Sequence, residues 1–102
     1  MNSFVLAPQA AADLEDIWDY ISADSADAAD KFLRSLEEAM QQLAKMPRMG
    51  HTRPELTALP LLFWPVGAYL ILYKSDSSPL EIVAVLQGSR DIPLIVERRL
   101  PH

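Results

Sequence analysis

Leu14, Ile17, Trp18 and Ile21 recur at spacings of three and four residues, which places them on one stripe of an amphipathic helix. Pro8 suits the first turn of that helix, where its missing N–H leaves no bond unmade. Asp13, Glu15, Asp16 and Asp19 fall on the polar side, and acids early in a helix complement the positive end of its dipole. Ser22 to Ser25 breaks the pattern. A second stripe follows at Ala29, Phe32, Leu33, Leu36, Met40 and Leu43, with Asp24, Ser25 or Asp27 available as its cap. It stops before Pro47, which disfavours helix at Met46. So short a link predicts two antiparallel helices.

From Leu61 the period changes to two. Leu61–Val66 and Ala68–Lys74 flank Gly67 as a hairpin, with Pro65 implying an irregular end or an edge position. Tyr69, Ile71 and Tyr73 share one face; Leu70, Leu72 and Lys74 share the other. Asp76 to Pro79 is a turn. Leu80–Leu86 is apolar on both faces after Glu81, as a central strand would be. Asn2–Leu6 reads as a short edge strand. Arg48 to Leu59 is a connection with room for a helical turn at Glu55–Leu59, and Ile92–Leu100 is a short amphipathic segment ending in basic residues. The order β-α-α-β-β-β predicts an α+β domain: a helical hairpin on one face of a small antiparallel sheet, then a short C-terminal helix or tail. The other sheet face is expected to lie at least partly open.

At 102 residues the chain is one domain, 1–102, with a modest core. Half of it is apolar, which excludes disorder by composition. Runs such as Leu61–Phe63 and Tyr69–Tyr73 are too short to span a bilayer, so no membrane association is expected. No basic residue precedes a hydrophobic stretch at the N-terminus, and the absence of cysteine removes disulfides and thiolate metal sites. The expected compartment is the cytoplasm. The net charge of −5 is uneven: nine acids between Ala11 and Glu38 face only Lys31 and Arg34, whereas from Ala39 onward seven bases face five acids. The acidic helices repel phosphate backbones, so sequence-specific DNA binding is not expected, and any nucleic-acid contact would fall to the sheet and tail. The acids are otherwise simply solvated helix faces.

Five segments in sequence carry a family resemblance. They are Leu6–Ile17 with Tyr20-Ile21; Ala29 with Phe32; Leu43-Ala44 with Pro47-x-x-Gly50; Phe63–Lys74; and Ile82–Asp91, with its Gly-x-Arg-Asp ending. In this order the chain resembles the RelE/ParE family of small bacterial toxins, nearer its ParE branch. The resemblance implies the toxin of a type II toxin–antitoxin pair. Its partner would be a ParD-like antitoxin whose unfolded segment folds on binding, in a hetero-oligomeric complex. The ParE branch implies DNA gyrase as the target; the RelE branch implies a metal-independent endoribonuclease acting on ribosome-bound message. No cofactor or metal is expected on either branch.

Metal-free RNA cleavage needs a base, an acid and cations on the phosphate. Where many relatives carry a sheet arginine, this chain has Leu62. A nuclease would have to rely on Arg90, Arg98 and His102, an incomplete set, so the binding-type toxin is the favoured reading. A degenerate member that binds antitoxin without toxicity is the third. Arg90, Asp91, Arg98 and Arg99 are the candidate target contacts, because the tail is the one basic amphipathic element. The competing reading of Arg90-Asp91 is structural, with Asp91 capping the last turn. Ile17, Tyr20, Ile21, Phe32, Leu36, Trp64, Leu70 and Leu72 are candidate antitoxin contacts, and such a groove predicts a poorly soluble or self-associating free toxin. Trp18 reads as core; Tyr69 and Tyr73 read as half-covered sheet residues or as hydroxyl donors on the open face. His51 has no second ligand for a metal.

Overall fold

A computed structural model describes residues 3–100. The elements run β1 (Phe4–Leu6), α1 (Pro8–Ser22), α2 (Ala26–Lys45), a 3-10 turn at Pro47–Met49, β2 (Leu61–Val66), β3 (Tyr69–Lys74), β4 (Leu80–Gln87) and α3 (Ile92–Arg99). Pro8 opens α1, and the Ser25 hydroxyl caps α2 by accepting from the Ala28 N–H at 3.1 Å. In place of a helical turn at Glu55–Leu59, the connection turns at Arg53, whose carbonyl accepts from the Leu56 and Thr57 N–H groups. Among the described residues no helix is long and apolar enough to cross a membrane.

The sheet order is β1-β4-β3-β2. The β2–β3 and β3–β4 pairs are antiparallel, as the meander predicts, but β1 runs parallel to β4, so the sheet is mixed. β2 therefore runs the same way as β1: the two antiparallel helices return the chain to the end at which β1 left, and the connection after α2, with His51 in an antiparallel bridge to Phe63, carries it back so that β2 starts from the opposite end. Gly67 closes the β2–β3 hairpin with φ of 58°, a backbone conformation that side chains with a Cβ rarely adopt. A bulge pairs Leu72 with Ala84 and Tyr73 with Ile82, leaving Val83 as the extra residue. The bulge lets Ile82 and Val85 face the helices while Val83, Ala84 and Leu86 face the opposite layer.

Both sheet faces are therefore occupied. On one, Ile17, Leu36, Met40 and Leu43 of the helices pack on Ile71, Tyr73, Ile82 and Val85. On the other, Ile92 and Val96 of α3, with Leu56 and Leu59, cover Leu61, Phe63, Leu72 and Leu86. The expected open face is closed by the tail, the amphipathic segment laying its apolar side on the sheet through Ile92 and Val96. Tyr73 is fully buried; its hydroxyl donates to the Pro47 carbonyl at 2.7 Å and accepts from the Gly50 N–H at 2.9 Å. That closure explains the Pro47-x-x-Gly50 spacing, since a Cβ on Gly50 would collide with the Tyr73 hydroxyl.

Candidate functional site: the strand-end arginine and the C-terminal helix

After β4 the chain turns through Gly88 and Ser89, and the Arg90 N–H donates to the Gln87 carbonyl at 3.0 Å. The Asp91 carboxylate accepts from the Leu94 N–H at 3.3 Å and so caps α3. Asp91 thus has a structural role. Arg90 is exposed and makes no ion pair among the described residues. It lies between two clefts. One, of about 240 Å³, includes Asp13, Asp16, Tyr20 and Gln87 in its lining. The other, of about 300 Å³, includes Arg53, Leu56, Leu70 and Ile92.

The rest of the proposed target set divides. Arg98 is exposed in the last turn of α3. Arg99 is not available: its guanidinium grips Asp13 in a two-pronged pair, Nη1 to Oδ2 at 2.7 Å and Nη2 to Oδ1 at 2.8 Å. The same Oδ2 accepts from the Val85 N–H at 3.0 Å. The hydrogen bond to Asp13 holds the Arg99 pKa above its ordinary value, against the opposing effect of burial. Asp13 is accordingly buried, contrary to its expected place on the solvated side of α1. The reason lies in the sheet. β1 pairs with β4 only as far as Ile82, so the edge beyond it has backbone donors without a strand partner, and Asp13 supplies one acceptor. A signal was present: Asp13 sits three residues after Ala10 and four before Ile17, on the buried stripe itself. His102, the remaining member of the nuclease set, lies outside the described residues.

The apolar set also divides. Ile17, Leu36 and Leu72 are core residues and unavailable to a partner. Tyr20, Ile21, Phe32, Trp64 and Leu70 keep some surface, with Tyr20 the most open at 72%. The Phe32 ring packs on Tyr69 at 5.4 Å between centroids. Trp64 stacks on His51 at 6.3 Å. Trp18 is not core. It flanks the α1 stripe, is 37% exposed, and donates its indole N–H to the Asp30 carboxylate across the hairpin at 2.9 Å. Sequence reasoning missed a cleft of about 450 Å³ between β1 and the helices, with Phe4, Leu6, Leu14 and Leu33 in its wall and Asp30, Arg34 and Glu37 among its polar residues.

Comparisons with known proteins agree with this arrangement. The family model described as ParE toxin of type II toxin-antitoxin system, parDE, matches residues 4–92. Toxin ParE1 of Mycobacterium tuberculosis, in strains CDC 1551 / Oshkosh and H37Rv, is 30% identical over 97 residues, covering 89% of this chain and 94% of the relative. A chain of the solved chromosomal ParDE TA system from P. aeruginosa shares the fold, with a TM-score of 0.69 over 85% of this chain and 96% of that one, at 21% identity. The match across β1 to β4, together with the helical hairpin laid on a four-stranded sheet, places this chain in the ParE toxin family of type II toxin–antitoxin systems.

Proposed function

We propose that this chain inhibits DNA gyrase by binding it, and that a ParD-like antitoxin, folding as it binds, neutralises it. The observation that carries the reading is the family match over residues 4–92. The placement of the cations favours binding over RNA cleavage. Leu62 packs against the helix-side core, where it offers nothing to a phosphate. Arg90 precedes α3 and Arg98 lies in its last turn, a separation of about 12 Å along a helix. An acid–base pair must instead converge within hydrogen-bond reach of the reacting atoms. Arg99 is committed to Asp13.

For the antitoxin, the cleft beside β1 offers apolar walls and the free edge of a three-residue strand. Tyr20, Ile21, Phe32 and Trp64 add aromatic and aliphatic surface of the kind that anchors interfaces. The test incubates the purified protein with gyrase, supercoiled plasmid and ATP, and in parallel with translating ribosomes. The expected result is blocked supercoiling or cleaved plasmid with message intact. Cut message with normal supercoiling would overturn it.

A further inference from the structure

We propose that the cleft between Arg53 and Arg90 is a binding site for a peptide segment carrying a carboxylate between apolar side chains. It rests on the proposed function only in expecting a protein partner. On a chain of net charge −5, this cleft has Arg53 and Arg90 in its lining and no acid, the nearest carboxylate named being Glu55, paired to Arg53. Arg53 is ion-paired through its Nε–H to the Glu55 carboxylate at 2.6 Å, and its terminal N–H groups make no hydrogen bond among the described residues. Arg90 has no ion-pair partner among the described residues. Two such forks suit a carboxylate, which accepts paired N–H donors.

The neighbouring cleft fixes the polarity. On its far side Arg90 borders Asp16, which repels an anion there, Asp13 being neutralised by Arg99. The walls decide the kind of anion. Leu56, Leu70 and Ile92 give apolar contact that inorganic phosphate would leave unused. A nucleic-acid backbone would bring a run of phosphates towards an acidic helical hairpin, which repels them. The volume of about 300 Å³ sits at the lower bound of small-molecule pockets and fits one or two side chains. Gly67 and Gly88 also line the cleft, so their amides report directly on an occupant.

The experiment titrates the full-length ¹⁵N-labelled protein with acetyl-Leu-Glu-Leu-Asp-Leu-amide and with its Gln/Asn counterpart. Amide signals of Gly67 and Gly88 and the arginine Nε–H signals are followed. The acidic peptide should shift them saturably, with the neutral peptide binding at least about tenfold more weakly, the size of one charge-assisted contact. Arg53→Gln and Arg90→Gln should each remove most of that difference while the remaining spectrum stays unchanged, which controls for folding. Equal binding of the two peptides, absence of any shift, or a stronger response to inorganic phosphate or a single-stranded oligonucleotide would overturn the proposal. Neither gyrase nor antitoxin takes part, so this test can fail while the gyrase reading stands, and the reverse.

Discussion

Asp13 does more than any other charged residue to join the ends of the chain. Its carboxylate receives two bonds from Arg99, 86 residues away, and one from the Val85 backbone. Asp13→Ala strands a partly buried guanidinium and a buried N–H together. It should cost about 3 kcal/mol, the range for breaking one side of a buried pair. In a domain this size that lowers the thermal midpoint by more than about 10 °C in a calorimetric melt. Exchanging the two residues would not restore stability, because an arginine at position 13 cannot accept the Val85 N–H. Tyr73 sets a pH limit. Burial pushes its hydroxyl pKa up, with the Gly50 N–H opposing. The folded state therefore holds that proton more tightly than the unfolded chain. The stability involved is complete below the unfolded value of about 10 and is lost as pH rises through the higher folded value. Denaturant midpoints measured from pH 8 to 11 should fall at the alkaline end. Tyr73→Phe should flatten that fall while costing about 1–3 kcal/mol at neutral pH, from the Gly50 and Pro47 groups left unpaired.

At the scale of elements, the helical hairpin and the three-stranded meander were legible because each is a local pattern. Leu14, Ile17 and Ile21 face one way at helical spacing, and Tyr69, Ile71 and Tyr73 do so at strand spacing. What escaped are pairings between distant segments. The parallel docking of β1 depends on the connection between α2 and β2, which carries the chain back across the sheet before β2 begins. The bulge at Val83 is hidden in an unbroken apolar run. The lid formed by α3 rests on two buried positions, Ile92 and Val96. The candidate site was legible to the same degree: Arg90 and Arg98 are exposed as a basic tail suggests, whereas the role of Arg99 required the fold. The same division sorts the apolar residues by mutation. Leu36→Ala and Leu72→Ala should each cost about 2–5 kcal/mol of stability, since both are fully buried. Tyr20→Ala should change stability by no more than about 0.5 kcal/mol yet weaken antitoxin binding about tenfold or more. Thermal melts beside a binding titration distinguish the two outcomes.

At the scale of the molecule, an acidic helical layer backs a sheet whose opposite side carries α3, with Arg98 exposed in its last turn and Arg90 just before it. Such a distribution suits orientation against a protein partner more than wrapping on nucleic acid. Closure of both sheet faces also alters the expected behaviour of the free toxin. Among the described residues the exposed large apolar ones are Val5, Trp18, Tyr20, Met46 and Leu94, spread over several elements. With Val5, Trp18 and Tyr20 on β1 and α1, self-association should run mainly through that side of the molecule, and antitoxin should suppress it. The action proposed for this toxin is binding to gyrase. The most direct measurement is an equilibrium titration of purified gyrase onto the immobilised protein, with and without saturating antitoxin. A saturable complex that the antitoxin abolishes is the predicted result. No complex at gyrase concentrations of tens of micromolar, with the toxin folded and still binding its antitoxin, would contradict it.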